Sequence, residues 1–149
     1  MNVYEATLRY TAIGKIGSRS LSTPEAAVDY LSGCFDTHPE QESFWVIGLN
    51  RKNYPKFRAM VTLGTVDTSL VHPREVLKPA ILASSAAIIV AHNHPSGDPN
   101  PSSADIRVTK TLQDACNIIG IPLLDHVVVG AQDHPALPRF YSFASNGLL

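Results

Sequence analysis

Ala86-Ala87-Ile88-Ile89-Val90-Ala91 is a continuous apolar run bounded by polar residues, which predicts a strand buried on both faces. Several weaker patterns surround it. Val3 to Tyr10 alternates well enough for a first strand. Ser22-Thr23-Pro24-Glu25 then offers a cap, an early proline and an early acid, and the helix it opens carries Ala26, Ala27, Val28, Tyr30 and Leu31 before stopping near Gly33. Glu42 to Leu49 and Phe57 to Val66 are predicted strands, joined by the polar turn Asn50-Arg51-Lys52-Asn53-Tyr54-Pro55. Pro73 starts a second helix with Val76, Leu77, Ala80, Ile81 and Leu82 on its apolar side.

Beyond the buried strand the spacing changes to that of a helix, from about Ser103 to Ile119. Its predicted apolar face is Ile106, Thr109, Leu112, Ala115, Cys116 and Ile119, and Gly120 ends it. Ile121 to Val129 is a further buried strand, and Tyr141 to Phe143 a short last one. Strands and helices interleave without a repeat or a low-complexity linker. The expected class is therefore α/β, with a single mixed sheet flanked by helices in a three-layer or sandwich-like arrangement. A chain of 149 residues fits one domain, expected over 1–149, with a core that needs no disulfides.

Composition excludes more than it selects. With 44% hydrophobic and 17% charged residues the chain is of globular type, and a net charge of −1 gives no general attraction to nucleic acid or anionic membrane. No apolar run approaches the roughly 18 residues of a membrane span. The start lacks the basic and apolar regions of a signal peptide. Cys34 and Cys116 stand in no metal-binding spacing, so a reduced cytoplasmic setting is expected.

The chemistry gathers where the buried strand ends, in His92-Asn93-His94-Pro95-Ser96-Gly97-Asp98-Pro99-Asn100-Pro101-Ser102-Ser103-Ala104-Asp105. Residues two apart on a strand share a face, so His92 and His94 project together. Asp105 lies one turn inside the following helix. Two imidazoles and a carboxylate, with no thiolate, suit a catalytic zinc site that keeps one position open, and this points to a metal-dependent hydrolase. Each half has an ordinary explanation when taken alone. Paired histidines occur at strand ends, and Ser102-x-x-Asp105 matches a capping box. The stiff loop between them, with Pro95, Gly97, Pro99 and Pro101, is what argues for a connection built to hold the halves in register. Such a site also needs an acid that does not ligate the metal, and Glu42, Glu75, Asp98 and Asp125 are all candidates from the sequence.

The pattern His92-x-His94, seven residues, Ser102, two residues, Asp105 resembles the signature of the JAMM (JAB, MPN+) metalloproteases. The wider text resembles the RadC-like branch, through Gln41-Glu42-Ser43-Phe44, Gly64-Thr65, Val71-His72-Pro73-Arg74-Glu75, the histidine segment and Leu124-Asp125-His126, over about residues 24–130. The resemblance implies a cytidine-deaminase-like α/β fold with one zinc ion. His92, His94 and Asp105 match the metal ligands, Glu42 the catalytic glutamate and Ser102 the serine beside the reaction centre. It implies cleavage of a peptide or isopeptide amide in a peptide or protein substrate. The longer RadC relatives carry a helix-hairpin-helix DNA-binding module, and none is expected here.

Other residues keep open readings. Ser102 donates to an oxyanion or simply caps its helix, roles that need not exclude each other. Asp98 lines the site or is merely solvated. Asn93 faces away from the histidines as a structural hydrogen-bonder, which makes the string His-Asn-His a coincidence with the HNH nucleases. His126 is a partner behind the metal site, a pocket wall or a structural histidine. His38, His72 and His134 have no argument for ligation. Arg51, Lys52, Lys56 and Arg58 form a solvated turn or a nucleic-acid contact. Two further functions therefore stand beside the hydrolase: a RadC-like DNA-repair or nucleic-acid accessory protein, and a zinc-bearing scaffold for protein interaction.

Overall fold

The computed structural model describes residues 1–149 apart from 6, 8, 10, 13–18 and 67–69. In chain order the elements are α1 (Pro24–Tyr30), β1 (Ser43–Leu49), β2 (Pro55–Leu63), α2 (Pro73–Leu82), β3 (Ala87–Asn93), α3 (Ser103–Ile119), β4 (Leu123–Val129) and β5 (Phe140–Ser142). The five strands make one mixed sheet in the order β2-β1-β3-β4-β5. β1 runs antiparallel to both β2 and β3, β3 and β4 are parallel, and β5 returns antiparallel. The parallel pair needs a crossover, which α3 supplies. The strand expected from Val3 to Tyr10 falls partly outside the described residues, and its described members carry no regular structure.

Every residue of β3 is buried, as its unbroken apolar run predicts. One face of the sheet presents Phe44, Val46, Ile88 and Val90 to Val76, Leu77 and Ala80 of α2 and to Val108, Leu112 and Cys116 of α3. The other presents Ile47, Leu49, Ile89, Ala91, Val127 and Val129 to Ala26, Ala27 and Leu31 at α1. The result is three layers, with each sheet face closed by helix. At Gly48 the ring of Phe57, its partner on β2, and Ser85 Oγ occupy the space that a Cβ would need. No helix among the described residues is long and apolar enough to cross a membrane.

Three expectations need correction. Ile106 and Ile119 are 46% and 48% exposed, not part of the buried face of α3. That face is Asp105, Val108, Thr109, Leu112 and Cys116, a stripe of helical spacing in which Asp105 takes the inward position beside Ile106. Ile81 and Leu82 of α2 likewise turn outward, because Val76, Leu77 and Ala80 already fill the contact with the sheet. Finally, β2 ends at Leu63 instead of Val66. Beyond it the backbone N–H of Gly64 donates to the Glu42 carbonyl at 2.8 Å, and that of Val66 donates to Glu42 Oε2 at 2.6 Å. The chain leaves the sheet edge in order to hold that carboxylate. The other boundaries lie within a few residues of their predicted positions.

Candidate metal centre

His92 is the last residue but one of β3, and His94 follows the strand directly. The His94 N–H bonds the Val129 carbonyl at 2.9 Å, which carries the parallel ladder one step past the strand. The loop then turns at once. Gly97 has φ +84°, a left-handed conformation suited to glycine, and its N–H closes onto the His94 carbonyl. This turn brings the Asp98 carbonyl to 2.8 Å from His94 Nδ1. A carbonyl can only accept, so Nδ1 carries the hydrogen and Nε2 is left for a proton or a metal. At the far end of the loop Ser102 caps α3 by the predicted capping box. Its Oγ accepts from Asp105 N at 3.1 Å, while Asp105 Oδ2 accepts from Ser102 N and Oγ, each at 2.7 Å.

Strand end and helix start thus meet. His92 Nε2 lies 3.1 Å from His94 Nε2 and 3.1 Å from Asp105 Oδ1, and His94 Nε2 lies 3.4 Å from Asp105 Oδ2. Two zinc-ligand bonds of about 2.0–2.1 Å at a tetrahedral angle place their donor atoms about 3.3 Å apart. The observed spacing fits that geometry. So does the donor chemistry, since neutral imidazole nitrogens and an ionised carboxylate all bear lone pairs and need a cation or a proton between them. The three residues can hold a metal ion, and they are the one such group among the described residues.

His92 and Asp105 are fully buried, and His94 is the member that reaches solvent. It opens on a cleft of about 330 Å³ lined by Glu42, Thr65, Val66, Ser96, Ser102 and Asp105. A second depression of about 330 Å³ lies on the other flank of His94, between the end of α1 and the β4–β5 connection.

Burial opposes the charge of Asp105, but hydrogen bonds with His92 and His94, the His92 charge and the Ser102 hydroxyl outweigh it. The carboxyl is held well below the usual carboxylate range. His94 is shifted the other way: its hydrogen bond to Asp105 raises its pKa although burial works against this. A metal must therefore displace a proton from His94 at any pH below that raised value. The apparent affinity for zinc should be flat above it and fall about tenfold per pH unit below it. Zinc titrations at a series of pH values check this, and an affinity unchanged from neutral to acid pH rules out His94 as a ligand.

The remaining candidates separate clearly. Asn93 faces away from the histidines as expected: its Oδ1 accepts from Ser43 N and its Nδ2 donates to the Gln41 carbonyl, fixing the segment beside Glu42. Asp125 lies apart from the cluster, accepting from Ser142 Oγ and Ala144 N, with burial raising its pKa. Glu75 pairs with Arg74 at the surface. Asp98 uses its carboxylate on Asn100 N, and the site uses only its backbone. His72 caps α2 by accepting from Arg74 N, His134 accepts from Ala136 N, and His38 is exposed.

The basic turn divides. Lys56 donates to the Ala83 and Ser84 carbonyls, and Arg58 donates to the Tyr30 carbonyl and lies over its ring, so only Arg51 and Lys52 of the set stay on the exposed turn. His126 is wholly buried, and its Nε2 lies 2.9 Å from His92 Nδ1. Burial, foremost, and the charge of His92 push its pKa well below the ordinary imidazole value. Thr109, read from the sequence only as a core-facing position, reaches His126 Nδ1 from the other side at 2.6 Å.

The structure is thus a three-layer α/β domain with a His/His/Asp cluster, able to hold a metal ion, at the carboxyl end of a central strand. The chain belongs to the RadC-like JAB domain family, whose model matches residues 21–148. It is 42% identical over 122 residues to a UPF0758 protein of Coprothermobacter proteolyticus, a match covering 80% of this chain and 52% of the relative. A UPF0758 protein of Staphylococcus carnosus is 47% identical over 110 residues, covering 74% and 48%. Another, of Geobacillus kaustophilus, is 54% identical over 92 residues, covering 62% and 41%. The chain thus spans about half the length of the curated relatives it matches.

Proposed function

We propose that this domain is a zinc-dependent hydrolase of peptide or isopeptide amides, with the ion held by His92, His94 and Asp105 and with Glu42 as general base. The observation that carries this reading is that Glu42 and Ser102 open on the same cleft as His94 and Asp105. Zinc in that place would supply a Lewis acid that polarises a carbonyl oxygen and lowers the pKa of water toward about 7.

The protein's own groups divide the remaining work. Asp105 has Oδ2 engaged by Ser102 and Oδ1 directed at His92, so it is not the base. Glu42 stands apart from the ligands, steadied by Val66 N on Oε2, and is free to take a proton from water and return it to the departing amine. Ser102, by turning its hydrogen away from Asp105, becomes a donor to the oxyanion that forms as the carbonyl is attacked. Depressions on both flanks of His94 leave room for a chain laid across the site, as a peptide or protein substrate requires.

The test is cleavage of a library of peptides and isopeptide-linked peptides by protein loaded with one zinc per chain. Cleavage should cease with a chelator and return when zinc is restored. A library left intact by the loaded protein would sink the reading.

A further inference from the structure

The hydrogen bonds behind His92 form a chain with a definite direction. It begins at the backbone carbonyl of Asp105, which can only accept. Thr109 Oγ1 donates to that carbonyl at 2.7 Å. A hydroxyl has one hydrogen, so towards His126 Nδ1, 2.6 Å away, Thr109 Oγ1 must accept. His126 therefore carries its hydrogen on Nδ1 and presents a bare Nε2. That nitrogen lies 2.9 Å from His92 Nδ1, which in turn must donate to it. The last atom in the series is His92 Nε2, directed at Asp105 Oδ1 and His94 and so the nitrogen left to take a proton or a metal. With both rings neutral, no other assignment of these hydrogens satisfies all three contacts.

The rings cannot easily swivel out of this order. His126 is stacked on Phe143 at 4.8 Å with an interplanar angle of 10°, and meets Phe44 edge-on. His92 lies against the other side of the same core, stacked near Phe44. Thr109, His126 and His92 are each buried to within 1% of complete. With no water at hand, a misdirected hydrogen would leave two donors or two acceptors face to face.

We infer that Thr109 and His126 are positioning residues that fix the tautomer of His92, so that the backbone of Asp105 dictates where the lone pair of the neighbouring ligand points. The inference rests on the reading of His92 as a metal ligand. It goes beyond that reading by tying two ligands from different elements through residues that touch no substrate. Groups in this position commonly change metal affinity 10–100-fold when removed.

Thr109→Val tests it with almost no change of shape. Without the hydroxyl, the Nδ1–H of His126 faces a methyl group whenever His92 Nε2 binds metal. We expect zinc affinity, measured by competition with a chromophoric chelator, to fall about 10–100-fold. In the zinc-free wild type the ¹⁵N ring signals of His92 should report the hydrogen on Nδ1, and in Thr109→Val that preference should be lost. Thr109→Ser, which restores the hydroxyl, should recover both readouts to within a few-fold. His126→Leu and His126→Gln form a second pair. Leucine removes the acceptor, whereas glutamine can accept from His92 and donate to Thr109.

Wild-type affinity together with an unchanged His92 tautomer in a folded Thr109→Val protein overturns the inference alone. A wild type that binds no zinc overturns the metal-site reading, and the role assigned to Thr109 and His126 with it.

Discussion

Glu42→Gln is expected to lower amide hydrolysis by about 10²–10⁴-fold while the protein keeps its full complement of zinc. The substitution preserves length, and the glutamine carbonyl can still accept the Val66 N–H that Glu42 Oε2 accepts at 2.6 Å. Residues 64–66 should therefore stay in place beside the cleft. What is lost is the ability to take up and return a proton. Glu42 belongs to neither the His/His/Asp cluster nor its hydrogen bonds, so metal content has no reason to change. Single-turnover rates measured beside zinc per chain separate the two effects. Undiminished turnover in the variant would remove Glu42 from the chemistry and leave the metal site standing.

Asp105→Ala is expected to eliminate zinc binding in equilibrium dialysis and to leave a cooperatively folded protein. The carboxylate contributes the anionic ligand, and without it two neutral imidazoles remain, one of them half-buried at the cleft. The structural loss is local. Ser102 Oγ can still accept the N–H of residue 105, so half of the capping box survives, and the change should cost about 1 kcal/mol. Val108, Leu112 and Cys116 hold α3 on the sheet without help from a metal. This separates the domain from small zinc modules, in which metal binding supplies the free energy of folding. Far-UV circular dichroism of the variant should match the wild type, and both metal-free proteins should melt in one cooperative transition. A metal-free wild type already unfolded at room temperature would contradict the argument.

The His/His/Asp cluster was legible in the sequence because each member sits at a well-marked boundary. His92 and His94 follow the strongest apolar run in the chain, and Ser102-x-x-Asp105 opens the most clearly periodic helix. Glu42 was not legible from its surroundings. Several acids competed with it, and only the family resemblance selected it. What distinguishes it physically is the early end of β2, where residues 64 and 66 turn back to hold it. A tertiary contact of that kind leaves no trace in hydrophobic patterning.

The arrangement behind His92 was hidden for a similar reason. His126 comes within reach of His92 only through the parallel register of β3 and β4, in which His126 pairs with Val90. That register depends on how α3 crosses over. Thr109 carried the right period but the wrong implication, since a threonine on a helix face reads as packing. The exposed isoleucines of α2 and α3 show the converse limit: periodicity identifies a helix, but residues at the margin of its apolar stripe can turn either way.

The absence of sulfur from the His/His/Asp cluster has a consequence for life under oxidative stress. Thiolate-ligated zinc is released when peroxide converts its cysteines to sulfenic acid or disulfide, because the thiolate is both ligand and reductant. Here the atoms that could hold a metal are nitrogen and oxygen. Cys116, on the same helix as Asp105, is packed in the core with its thiol pushed up to about 11 by burial, and the half-buried Cys34 thiol is raised as well, again chiefly by burial. Neither offers a ready thiolate to an oxidant. A metal ion held by this cluster would stay bound in conditions that would empty a cysteine site.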